Sequence, residues 1–175
     1  MVRRQALHEV GGIQSIRGNL IDDCALAARI KEQGAVWLGL TEETRSLRAY
    51  DRLSEVWKMV ARAAFTQLNH SPGALLVTMF GMVVIYGAPP VAAVYGLVEM
   101  NAAAGWLGGV AWLIMAVAYR PTLRLYRLPV WWGLLLPVAA LLFTLMTIDS
   151  ARLHWRGRGG QWKGRSYNET GVTGG

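Results

Sequence analysis

Residues 71–98, SPGALLVTMFGMVVIYGAPPVAAVYGLV, contain no charged side chain, and neither do residues 100–119 or 128–148. At a rise of about 1.5 Å per residue, about 20 apolar residues cross a hydrocarbon core of about 30 Å, so each stretch is long enough to span a bilayer. The pattern predicts hydrophobic segments at about 74–98, 101–119 and 130–148, within a transmembrane region covering 71–149. Ala88-Pro89-Pro90 interrupts the first segment and predicts a kink, because proline donates no N–H and its ring crowds the carbonyl four residues back. Gly105, Gly108 and Gly109 give the second segment small surfaces that another helix can approach closely. Trp131 and Trp132 open the third as an interfacial anchor, and Pro137 lies within it.

Composition agrees with that reading. The chain has 175 residues, of which 53% are hydrophobic and only 17% charged, against about 25% charged in soluble domains. This argues against disorder, a secreted disulfide scaffold and a purely soluble enzyme. Cys24 is the single cysteine, so no internal disulfide can form and no zinc site can rest on cysteine alone. The first 19 residues mix Arg3, Arg4, Glu9 and Arg17 with no apolar run, unlike a signal peptide.

Charge follows the membrane edges. The net formal charge is +7, and residues 1–70 carry 10 basic and 8 acidic side chains, leaving most of the excess to the membrane-flanking part. Anionic lipid headgroups explain such a distribution better than nucleic acid does. Arg156, Arg158, Lys163 and Arg165 are therefore read as headgroup-binding, although Arg156-Gly157-Arg158 resembles an RNA-binding segment superficially. Arg120, Arg124 and Arg127 face the cytoplasm by the positive-inside rule, which puts residues 1–70 on the same side. A third full span would place the basic tail outside, against that rule. The tail is then periplasmic, or the third segment is re-entrant near Pro137; the sequence leaves both open.

Within residues 1–70, Gly11-Gly12 breaks the first short stretch. Asp22 or Asp23 suits a helix start, where carboxylates accept from free N–H groups and match the dipole. Leu26, Ala27 and Ile30 recur on one face, and Gly34 marks the stop. Ala35-Val36-Trp37-Leu38-Gly39-Leu40 reads as a short buried strand, and a polar connection follows over 41–51. Residues 53–68 form the best amphipathic helix. Leu53, Val56, Trp57, Val60, Ala64, Phe65 and Leu68 lie on one side, with Glu55, Lys58, Arg62 and Thr66 on the other. Placed directly before a span, such a helix can lie in the interface with its apolar face down, or pack on its own domain.

Two acidic pairs could carry chemistry. Asp22-Asp23 sits at a helix start between Ile21 and Cys24, and a carboxylate so placed can take a proton from a hydroxyl. The plainer alternative is one capping aspartate and one solvated aspartate. Glu42-Glu43 reads as solvated surface. His8, His70 and His154 have no ligand-like spacing, so no metal cluster can be built from them.

These residues carry a resemblance. Ile16-Arg17-Gly18-Asn19-Leu20-Ile21-Asp22-Asp23-Cys24-Ala25-Leu26-Ala27 resembles the acceptor-side half of a family 2 glycosyltransferase, and most closely the hopene-associated glycosyltransferases of bacterial hopanoid gene clusters. Val36-Trp37-Leu38-Gly39-Leu40-Thr41, the stretch from Met59 to Leu68, Asp149-Ser150-Ala151 and the segment from Trp155 to Arg165 fit the same family. The resemblance implies a mixed fold, with the C-terminal part of an α/β A-type catalytic domain over 1–52. An interfacial helix would follow at 53–70, then the α-helical membrane region over 71–149 and a basic tail at 150–175. It implies inversion at the sugar's anomeric centre, with Asp23 as general base and Asp22 as its neighbour. Trp57, Arg62 and Gln67 are loose counterparts of the family's Gln-x-x-Arg-Trp motif at the acceptor interface.

It further implies a nucleotide-sugar donor, a hopanoid-associated lipid acceptor, and a bacterial inner-membrane location. A divalent metal, magnesium or manganese, is expected for the complete enzyme, held by an Asp-x-Asp motif. The sequence has no Asp-x-Asp. The expectation is therefore a C-terminal part, inactive alone, whose donor half is missing or separately encoded. A non-catalytic membrane scaffolding or lipid-binding subunit is the alternative.

Overall fold

The computed structural model describes residues 2–17, 19, 21–37, 39 and 50–158, and the backbone of three strand segments within 161–173. The chain divides into two compact units, one made of Met1–His70 with Asp149–Gly175 and the other of Ser71–Ile148.

The first unit is helical over most of its described length. Helix α1 (Arg4–Glu9) ends at Gly11 and Gly12, whose φ of 82° and 69° turn the chain into a 3-10 turn over Ile13–Ile16. Helix α2 (Asp22–Gln33) follows and stops at Gly34, and α3 (Leu53–Gln67) is the expected amphipathic helix.

The expected α/β domain is not seen. Residues 35–37 and 39 form no strand, and Trp37 is 86% exposed; Leu38, Leu40 and most of the polar connection at 41–51 lie outside the described residues. The reason is pairing. A parallel strand needs neighbours supplied by βα units to satisfy its N–H and C=O groups, and a lone apolar hexapeptide brings none. The strands among the described residues are β1 (Gln161–Trp162), β2 (Arg165–Asn168) and β3 (Gly171–Thr173), an antiparallel sheet ordered β1-β2-β3.

In the second unit, α4 (Pro72–Met82) starts on Ser71, whose Oγ accepts from Ala74 N–H at 3.2 Å. The kink expected at Ala88-Pro89-Pro90 takes the form of a π turn over Val83–Gly87, in which Ala88 N–H donates to Val83 O, before α5 (Ala88–Val98) continues. The wider turn absorbs the two proline rings, whose clashes would fall on the carbonyls of Ile85 and Tyr86. Asn101 caps α6 (Ala102–Ala118) through Ala104 N–H. After α7 (Arg120–Leu125), a 3-10 stretch over Val130–Leu135 leads into α8 (Leu136–Trp155), and Trp112 Nε1 donates to Leu134 O at 3.1 Å. Pro137 falls in the first turn of α8, where its missing N–H has no helical partner to lose.

Three helical stretches are long and apolar enough to cross a membrane: Pro72–Val98, Ala102–Leu125 and Val130–Trp155. The third runs through Pro137 without a break. Val77, Leu97 and Trp106 are among many exposed apolar side chains here, as suits a segment whose solvent is lipid. The chain is a membrane protein.

The final turns of α8, residues 149–155, belong to the first unit and supply its core contacts with α3. Phe65 is 1% exposed, Ser150 3% and Ala151 0%. Phe65 N–H donates to Ser150 Oγ at 3.0 Å, and the small side chains of Ser150 and Ala151 let the helices approach. Ser150→Ala is expected to lower stability by about 1 kcal/mol, the net worth of one hydrogen bond, read as a lower midpoint of thermal unfolding in detergent.

Candidate acceptor groove

The start of α2 and one side of α3 form a groove of about 390 Å³. Ile21, Asp22 and Asp23 line it from α2; Met59, Val60, Arg62, Ala63, Ala64 and Gln67 line it from α3. The helix cap is Ile21, so the two aspartates occupy the first helical positions. There their charge meets the positive end of the helix dipole. Asp22 Oδ1 accepts from Asp23 N–H at 3.0 Å, and Asp23 Oδ1 accepts from Cys24 N–H at 2.8 Å. Both carboxylates are exposed, with one oxygen engaged by the backbone and the other facing no hydrogen-bond donor among the described residues.

Of the sequence-derived residues, the structure brings together Asp22, Asp23, Arg62 and Gln67. Arg62 is half-buried with a buried Nε, and Gln67 is exposed. Trp57 is not part of the groove lining; its Nε1 donates to Asp149 Oδ2 at 2.9 Å, across 92 residues of sequence. Arg156 and Arg158 follow α8 and are exposed, Arg165 lies in β2, and Lys163 is outside the described residues.

The arrangement offers an anchored carboxylate that can receive a proton, a guanidinium that can bind an oxyanion or hydroxyl, and an amide. Four apolar side chains of α3 lie beside them. It does not fit a divalent metal. No group of three or more His, Cys, Asp or Glu side chains among the described residues could hold one, and the acid pair shares its groove with a cation.

Sequence reasoning missed Asp149 and Ser150 as packing partners of α3. A signal existed, since Asp149 is the one carboxylate in a span that is otherwise free of acids, and ionisable groups in such places have partners. It also missed a ring cluster. His70 stacks on His154 with centroids 4.1 Å apart and planes at 15°, and Phe65 meets both rings edge-on. Face-to-face imidazoles stack rather than converge on a shared ligand.

A helical membrane protein in which the helix preceding the first span walls an acidic groove is the class this architecture defines. The chain belongs to glycosyl transferase family 21, whose family model matches residues 1–167. No curated protein and no solved structure matches it. The protein is thus a glycosyltransferase; the match is to family 21, and the hopene-associated subtype of family 2 is not part of it.

Proposed function

We propose that this chain supplies the acceptor side of an inverting glycosyltransferase that moves a sugar from a nucleotide-sugar donor to a lipid associated with hopanoids. The observation that carries the reading is the groove itself: an acid pair shares it with Arg62 and Gln67, on a helix separated from the first span by four residues. A groove wall so close in sequence to a span suits an enzyme whose acceptor is a lipid. Asp23 takes the proton of the acceptor hydroxyl, and that oxygen bonds to the anomeric carbon from the face opposite the leaving group. The carbon–oxygen bond to the nucleoside diphosphate breaks, and the diphosphate leaves with the electron pair. Direct displacement of this kind inverts the anomeric centre and needs an activated oxygen nucleophile.

The donor pocket and its divalent metal belong, in this reading, to residues other than these 175, which contain no Asp-x-Asp. Residues 1–70 lie on the cytoplasmic side of a bacterial inner membrane in this reading. Arg156, Arg158, Lys163 and Arg165 bind lipid headgroups in this reading.

The test co-expresses the chain with the reading frame preceding its gene and supplies radiolabelled nucleotide sugars to the membranes. Label is expected in an organic-extractable lipid only when both polypeptides are present, with the opposite anomeric configuration to the donor. Label that appears equally without this chain, or never appears, removes the proposal.

A further inference from the structure

The two sides of α3 do different things. At about 100° per residue, Trp57, Ala61 and Phe65 fall within an arc of about 80°, and this arc meets residues 149–155. Phe65 N–H reaches Ser150 Oγ, Phe65 packs against Trp155 with centroids 5.6 Å apart, and Trp57 reaches Asp149. The groove-lining residues of α3 centre roughly opposite to that arc. A rotation or slide of α3 against residues 149–155 moves Arg62 and Gln67, and with them the α3 wall of the groove.

Apolar packing alone sets such a register weakly, because one small residue slides past another at little cost. A hydrogen bond from an indole N–H to a carboxylate is directional, and stronger than one between neutral groups. Asp149 is half-buried and stands within the third apolar stretch, where a carboxylate is costly unless paired. The donor that meets it is the Trp57 indole N–H, at 2.9 Å.

We propose that Asp149 is a positioning residue of the groove: by holding the Trp57 indole it fixes the rotation and register of α3, and so the placement of Arg62 and Gln67 across from Asp22 and Asp23. The name acceptor groove rests on the function proposed above, but the positioning itself does not. Loss of the bond displaces the groove wall without touching the base. The effect expected in catalysis therefore falls on acceptor binding.

The experiment uses the full chain in lipid nanodiscs. Spin labels are placed at Asp22→Cys and Gln67→Cys in a Cys24→Ser background, and the distance across the groove is measured by pulsed electron resonance. A single narrow distribution is expected in this background and with Asp149→Asn, whose amide oxygen still accepts from Trp57. Asp149→Leu and Trp57→Phe are expected to broaden or shift it, with helix content by circular dichroism unchanged. In the two-polypeptide transfer assay, without labels, Asp149→Leu is expected to raise the apparent KM for lipid about tenfold at nearly constant kcat, and Asp149→Asn to restore it. An unchanged distance distribution in folded Asp149→Leu and Trp57→Phe chains overturns the proposal, and a KM that does not move while the distances respond overturns the acceptor reading instead. If no transfer occurs in any background while the distances respond as expected, the acceptor reading fails and the positioning role stands.

Discussion

Replacing Asp23 by asparagine is expected to lower sugar transfer by about 10²–10⁴-fold, the usual contribution of a positioned general base, while the chain still folds and inserts. In barrier terms this is about 3–5 kcal/mol. The substitution is narrow. An asparagine Oδ1 can still accept from Cys24 N–H, as Asp23 Oδ1 does at 2.8 Å, so the first turn of α2 keeps its local bond. The side chain is exposed, so no packing is lost. The weakened charge–dipole term at the helix start is about 0.3–1 kcal/mol, too small to unfold the unit. What an amide cannot do is receive the acceptor's proton.

Asp22→Asn provides the contrast. Its Oδ1 accepts from Asp23 N–H at 3.0 Å, so its part is to orient the neighbour, and a loss within about tenfold is expected. The measurement is initial-rate transfer to lipid in the two-polypeptide membranes, with circular dichroism and membrane flotation as controls for folding and insertion. Full activity in Asp23→Asn removes it as the base. Equal, large losses at both positions mean that the pair acts as a unit.

How much of this was legible before the structure depends on the range of the interaction concerned. The spans were legible because membrane crossing is written in local composition: uninterrupted apolar runs of the right length. Helix α3 was legible because its period is local too, and so was the stop of α2 at Gly34. The strand over 35–40 misled for a related reason. Periodicity reports that a segment is apolar, while a strand exists only when partners satisfy its backbone, and Val36 and Trp37 pair with no strand among the described residues. The groove was half legible. Asp22 and Asp23 announced themselves as adjacent acids at a helix start, but nothing in the spacing said that Arg62 and Gln67 would face them. Trp57 illustrates the limit best. Its place on an amphipathic helix suggested the interface, whereas its partner is an aspartate 92 positions away, a contact that no local pattern encodes.

The contact between α5 and α6 makes the other large prediction, and its signature is a change of sign between adjacent residues. A Cβ built at Gly108 would lie 2.7 Å from Pro89 O and 2.8 Å from Ala92 C, and would collide with Ala93 N; one at Gly96 would collide with Gly105 N. These neighbours are all backbone atoms, so no rotamer change relieves the overlap. Restoring an ordinary contact of about 3.5 Å requires the helices to part by about 1 Å. In lipid no hydrophobic force draws them together again, since close packing is itself the attraction. Gly108→Ala is therefore expected to destabilise the hairpin by about 2–3 kcal/mol, at the upper end of ordinary overpacking. Gly109 has nothing within 4 Å of its built Cβ. There alanine's better helix propensity acts unopposed, and Gly109→Ala is expected to be neutral or to stabilise by up to about 1 kcal/mol. Reversible unfolding of the full chain in mixed micelles, followed by Trp106 and Trp112 fluorescence with the other tryptophans replaced by phenylalanine, reads both changes. If the two alanines behave alike, α5 and α6 are not in backbone contact at Gly108. A glycine pattern read from sequence alone marks Gly105, Gly108 and Gly109 as equivalent small surfaces; the contact separates them, because only a residue whose missing side chain is occupied by another helix's backbone depends on being glycine.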